Sequence, residues 1–205
     1  NGLRVPSDFL TKDEAFVRHV SKRLTRRDIV IDLGAHIGMA AIQFSHRAGR
    51  VYAFEPHPKI FEELAAAAKR FSRIIPINAA AALNDGRAEL FSDDDPRPWK
   101  HTEGSTLAKG KSNLTYTQSY SVKTINIARF IMELEQSVCM IKMDVEGYEY
   151  RLINSLLDSG AIHKIGIIHV EDHCDRVHGL SDERDSTFER ISVQGLWDKF
   201  NFEWP

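Results

Sequence analysis

Cysteine is scarce in this chain of 205 residues: Cys139 and Cys174 are the only two. Two cannot make a disulfide framework, which argues against a small stapled secreted domain and makes the cytoplasm the expected compartment. Long apolar runs are missing as well. None approaches the roughly 20 residues a membrane helix needs, and the first residues carry no signal-peptide pattern. A charge surplus is also missing. Lys and Arg total 27 against 29 Asp and Glu, a formal net charge of −2. Nucleic-acid binding draws on a basic surplus, so no nucleic-acid partner is expected, and no membrane partner either. There are no internal repeats and no long linker. At 42% hydrophobic and 27% charged residues, the composition is that of a folded globular chain and not of a disordered one. The length suits one domain. The chain opens on Asn1 rather than Met, as a piece of a longer parent protein would.

Strand-like and helix-like segments alternate. Thr11 and Glu14 have the spacing of a capping box, which predicts a helix over 12–24. Apolar runs at 28–33, 50–54, 74–78, 138–143 and 165–170 read as buried parallel strands. Helices are expected over 37–47, 58–71, 148–158 and 184–200, the last interrupted at Gly195. Segments 87–92 and 119–127 alternate like a hairpin, and 200–204 offers a last strand. The polar stretch from Asp93 to about 113 is a long loop, so it is functional or mobile. This rhythm predicts an α/β fold with a doubly wound, mostly parallel sheet and a β-hairpin insertion before the 138–143 strand. Ligands of such folds sit at the C-terminal ends of the strands.

Acids gather at those ends. Asp32 closes the first strand, Glu55 follows the second, Asp144 and Glu146 follow the 138–143 strand, and Glu171 and Asp172 follow the next; only the third tip, Asn78, lacks one. Clustered acids repel one another, so their gathering suggests a cationic or hydroxyl-rich ligand. The loop Asp32-Leu33-Gly34-Ala35-His36-Ile37-Gly38 lacks the middle glycine of a dinucleotide fingerprint. It suits a ligand without a pyrophosphate, such as S-adenosylmethionine, with its sulfonium and ribose diol. Glu55 would accept from the ribose hydroxyls, and Asp32 would lie near the methionine end. Plain turn glycines and helix-dipole acids are the simpler alternatives at these positions.

IDLGAHIG (31–38), VYAFEPHP (51–58), NAAAALNDGRAEL (78–90), VKTINIARF (122–130) and IKMDVEGYEYRLI (141–153) occur in that order. Together they resemble the motifs of the FkbM-type S-adenosylmethionine-dependent methyltransferases. The resemblance runs over about 28–171, and IKMDVEGYE at this distance from FEP is its most specific part. It implies a Rossmann-like class I methyltransferase, with 1–27 as a helical lead-in and 28–205 as the core. The activity it implies is methylation of a hydroxyl on a sugar or other natural product. Asp32, Gly34, His36, Gly38, Glu55, Asn78 and Asp144 would then contact the cofactor, and Asp144, Glu146 and His173 are the candidate general bases. The sequence departs from the family at His36, where Asn is usual. The family fold also ends in an antiparallel strand pair, and the residues after 200 leave room for only one strand.

Other candidates are weaker. Lys142 lies two residues before Asp144, on the same strand face, and is expected to pair with a carboxylate. His169, His173, Cys174 and His178 lack a zinc spacing, so no metal is expected. His57 and His101 each could face an acceptor, and Trp99 could stack on a sugar ring, although a loop Trp more often packs on its own domain. An NAD-dependent oxidoreductase and a non-catalytic binding module are the rival readings. An unpaired C-terminal edge strand would be the place for homodimer formation.

Overall fold

The computed structural model describes residues 12–92, 105–107 and 118–203. Thr11, Asp93 to Asp95, Trp99, His101 and Trp204 lie outside these residues. In chain order the first elements are α1 (Lys12–Ser21), β1 (Ile29–Leu33), α2 (Met39–Ser45), β2 (Arg50–Phe54), α3 (Pro58–Arg70) and β3 (Ile74–Ile77). Next come β4 (Ala80–Ala82), β5 (Gly86–Ser92), β6 (Gln118–Asn126) and α4 (Ile127–Glu133). The chain continues through β7 (Val138–Met143), α5 (Glu149–Asp158), β8 (Ile165–Val170), α6 (Leu180–Val193) and β9 (Phe200–Asn201).

Six strands form the main sheet in the order β3-β2-β1-β7-β8-β9, all parallel. The chain builds outward from β1 to β3, then returns to place β7 on the other side of β1. The strand order therefore reverses between β1 and β7, where a doubly wound sheet opens its ligand crevice. β1 reads IVIDL and is buried throughout, as a central parallel strand covered on both faces must be. On one face Val30, Val51 and Met140 pack with Val17 and Val20 of α1, Phe44 of α2 and Leu64 of α3. On the other, Ile31, Leu33 and Ile141 pack with Ile131 of α4, Tyr150 and Ile153 of α5 and Ile191 of α6. Val17 and Val20 thus tie the expected lead-in helix, which ends at Ser21, to the hydrophobic core.

A second, three-stranded sheet has the order β4-β6-β5, and β5 and β6 form the expected antiparallel hairpin. Two elements escaped the sequence. β4 is Ala-Ala-Ala, whose β propensity is low. β6 stops at Asn126 because its side chain accepts from Arg129 N at 2.9 Å and caps α4. The last helix also differs: α6 ends at Val193, and Gly195 adopts φ 65°. Gly195 N donates to Ser192 O and Leu196 N to Ile191 O, a Schellman stop and not an interruption. The implied antiparallel ending is not present among the described residues; β9 runs parallel to β8.

Candidate functional site

The tips of β1 and β2 are joined by backbone. Gly34 N and Ala35 N both donate to Phe54 O. Gly34 has φ 76°, and a Cβ there would run into the carbonyl oxygen of Asp144, so only glycine lets this loop lie against the tip of β7. Gly38 has φ 93°, and a Cβ would meet Leu64 Cδ1 at 2.8 Å. Between them His36 has φ 50°, a left-handed conformation that His, like Asn, adopts more readily than most residues. The departure at this position therefore keeps the loop's backbone. Glu55 is buried, and its carboxylate accepts from His36 N at 2.9 Å and His57 N at 2.8 Å. Burial raises its pKa to about 7 against these two amide bonds. Asn78 Nδ2 donates to Glu55 O and Pro56 O, bracing the same turn.

Asp32 is fully buried, with the Lys142 ammonium and the Ala41 amide near its carboxylate but no hydrogen bond of proper geometry to either oxygen. Burial raises its pKa to about 6 despite Lys142 Nζ 3.6 Å away. Lys142 donates to Gly34 O at 2.7 Å and to Asp144 Oδ2 at 2.9 Å. Burial opposes its charge, but Asp144 and Asp32 more than offset this and hold it protonated. The expected carboxylate pairing of Lys142 is what the structure contains. Through it the glycine loop, Asp32 and the tip of β7 form one network.

The tips of β7 and β8 are joined by side chains. Glu149, fully buried at the start of α5, accepts from Val145 N at 3.2 Å and from Gly147 N with both oxygens at 3.0 Å. Its Oε1 also lies 2.9 Å from His173 Nδ1. Glu146 takes φ 57°, strained for a residue with a side chain, and its Oε2 stands 3.1 Å from His173 Nε2. Glu171 Oε1 is 3.4 Å and Asp144 Oδ1 4.0 Å from the same nitrogen. Burial alone would lower the pKa of His173, but the hydrogen bond to Glu149 and the nearby carboxylates of Glu171 and Glu146 raise it to about 10. Thr106 Oγ1 donates to Glu146 O at 2.7 Å, so the 105–107 part of the long loop bears on this site.

Asp144, Glu146 and His173 thus converge, and Asp144 is also tied to the glycine loop. Asp32, Gly34, His36, Gly38, Glu55 and Asn78 gather across the β1 and β2 tips. Asp172 turns away: its Oδ1 accepts from Tyr150 Oη at 2.7 Å and Cys174 N at 2.8 Å. His57 is buried as the cap of α3, with Nδ1 3.5 Å from Ile60 N and its ring 4.6 Å from that of Tyr120. His169 is held neutral, its pKa lowered to about 4 by burial and Arg23, beside Asn201 and Phe16. The histidine-rich 169–178 segment therefore does not converge as a group. Glu149 was missed by the sequence. Its acid in the first turn of a helix reads as dipole complement, and nothing in the spacing links it to His173.

The family model for the Methyltransferase FkbM domain matches residues 32–190. The chain belongs to the FkbM methyltransferase family. The donor of this family is S-adenosylmethionine. The hexuronic acid methyltransferase AglP of Haloferax volcanii is 25% identical over 166 residues, covering 80% of this chain and 64% of AglP. A probable ribosomal RNA small subunit methyltransferase A of Thermococcus onnurineus is 40% identical over 68 residues, 31% of this chain and 25% of that one. The crystal structure of methyltransferase FkbM from Methylobacillus flagellatus aligns with a TM-score of 0.54 and 19% identity, over 83% of this chain and 38% of that one. This likeness establishes the fold. The chain spans less than two thirds of the length of each of these relatives. Among its described residues, no helix is long and apolar enough to cross a membrane.

Proposed function

We propose that this FkbM domain transfers a methyl group from S-adenosylmethionine to a hydroxyl of a sugar or other small natural product. The observation that carries the reading is the pair of buried acids flanking the glycine loop. Asp32 has the Lys142 ammonium 3.6 Å away but no hydrogen bond of proper geometry, and each Glu55 oxygen holds one backbone amide where a carboxylate oxygen can accept two. A ligand with an amine at one end and a diol at the other satisfies both. When bound, S-adenosylmethionine supplies an electrophilic methyl carbon on a sulfonium. Glu55 would accept from the ribose hydroxyls, Asp32 would face the amine, and the 34–38 backbone would hold the ligand against β1.

An alcohol is a weak nucleophile near neutral pH, so a base that takes its proton helps. Asp144, Glu146 and His173 are the groups placed to do so. His173 is held protonated, which leaves proton acceptance to the two carboxylates and gives the imidazolium the part of fixing them. AglP is named a hexuronic acid methyltransferase, and that supports a sugar acceptor for this chain. The test is mass spectrometry of the chain incubated with S-adenosylmethionine and a panel of uronic acids and neutral sugars. One added methyl on an accepted sugar is expected, with turnover lost in Asp144→Ala and Glu146→Ala. Full turnover in both variants would remove these residues from the mechanism.

A further inference from the structure

We propose that Asp144, Glu146 and His173 bind one divalent metal ion, with the imidazole Nε2 as its nitrogen ligand. Each residue offers one ligand atom, and the three atoms lie within 4.8 Å of one another. The second observation is the ring itself. His173 is fully buried, and its Nε2 points into the cluster, 3.1 Å from Glu146 Oε2, without a hydrogen bond of proper geometry. The other nitrogen is fixed by Glu149 at 2.9 Å, and Glu149 is in turn fixed by the amides of Val145 and Gly147. A histidine oriented through its far nitrogen by a buried carboxylate is the usual support of a metal ligand. Glu171 stands 3.4 Å from Nε2 and adds a third carboxylate to the neighbourhood. Three carboxylates around one nitrogen repel one another, and a divalent cation removes that repulsion.

Two carboxylates and an imidazole suit Mn²⁺ or Zn²⁺ better than Mg²⁺, which favours oxygen ligands and bound water. The cation would take the place of the proton on Nε2. Its role rests on the methyl-transfer reading: it would stand on the acceptor side, where a coordinated hydroxyl would give its proton more readily to the neighbouring Glu171 carboxylate as its oxygen takes the methyl group and S-adenosylhomocysteine leaves. The same three side chains would then act on the acceptor through the ion.

The test is titration of the chelator-stripped full chain with MnCl₂, followed by calorimetry and by pulsed electron paramagnetic resonance. One Mn²⁺ per chain is expected, with a nitrogen coupling from the imidazole that disappears in His173→Gln. Glu149→Gln, which keeps all three ligands, should weaken the affinity by about 10–100-fold. Because the His173 variant removes a buried partner, Glu146→Gln serves as the second ligand variant and should also lose the ion. Absence of Mn²⁺ and Zn²⁺ uptake by the folded chain overturns the proposal, as does bound Mn²⁺ without nitrogen coupling. S-adenosylhomocysteine is titrated separately in chelator. If it binds while the metals do not, the metal site fails and the methyl-transfer reading stands. If Mn²⁺ binds with the coupling and S-adenosylhomocysteine does not, the metal site stands and the donor reading fails.

Discussion

The two halves of the crevice hold their acids differently. At the β1 and β2 tips, Glu55 is held by the backbone amides of His36 and His57, one on each oxygen, and the loop's shape comes from glycine. At the β7 and β8 tips, Asp144, Glu146, Glu149 and Glu171 surround a side chain, His173. A backbone cradle needs little beyond local sequence to form, and it presents a fixed surface to a fixed ligand. A side-chain cluster assembles only when distant segments meet, and its charge balance can vary with what binds. Lys142 joins the two, reaching Gly34 O, Asp144 and Asp32.

The comparison is broken most severely at the junction. Gly34→Ala adds a Cβ against the Asp144 carbonyl in a left-handed conformation. A loss of at least about 3 kcal/mol in urea unfolding is expected, and an unchanged midpoint would contradict the close packing of loop and β7. Next is Glu149→Ala, which leaves His173 Nδ1 and the amides of Val145 and Gly147 without their acceptor. It should cost about 3–5 kcal/mol, as breaking a buried charge pair does.

Lys142→Met should cost about 3 kcal/mol, because Asp32 and Asp144 lose their cation. Adding Asp32→Asn should recover part of it, with a coupling of about 1–3 kcal/mol in the double-mutant cycle. Additive effects would mean that the buried pair does not interact.

On the backbone side, pH separates the halves. Glu55 has its pKa raised by burial from 4.5 to about 7. Between these values the folded chain binds the proton and the unfolded chain has released it, so the group's contribution to stability falls as pH rises through that window. The stability of wild type relative to Glu55→Gln should therefore fall by about 3 kcal/mol from pH 4.5 to pH 7 and stay level above it. A flat difference would show that the carboxyl titrates normally. The smallest effect is expected at Asn78→Ala, about 1 kcal/mol for the loss of its bonds to Glu55 O and Pro56 O.

The same contrast explains what could be read from the sequence. The β1 loop and Glu55 are contiguous motifs, and a parallel strand followed by Asp-x-Gly places them without knowledge of the rest of the fold. The strands β1, β2, β7 and β8 were legible because each is an apolar run closed by turn or polar residues. Asp144 and Glu146 were legible as an acidic strand tip. The link from Glu149 to His173 was not, since 24 residues separate them and only the adjacency of β7 and β8 brings them together. β4 was hidden by alanine, and α4 by an apolar stretch that continues the strand pattern past Asn126. His57, a histidine at a strand tip, caps α3, a role its position in the sequence did not reveal.

The central claim is that the β1 and β2 tips hold a methyl donor through Glu55. Calorimetric titration of the chain with S-adenosylhomocysteine, beside a Glu55→Ala variant shown to be folded by circular dichroism, tests it most directly. One-to-one binding by the wild type is expected, weakened at least about 100-fold in the variant by loss of two hydrogen bonds to a charged acceptor. No binding by a folded wild type, or equal binding by both proteins, would contradict it.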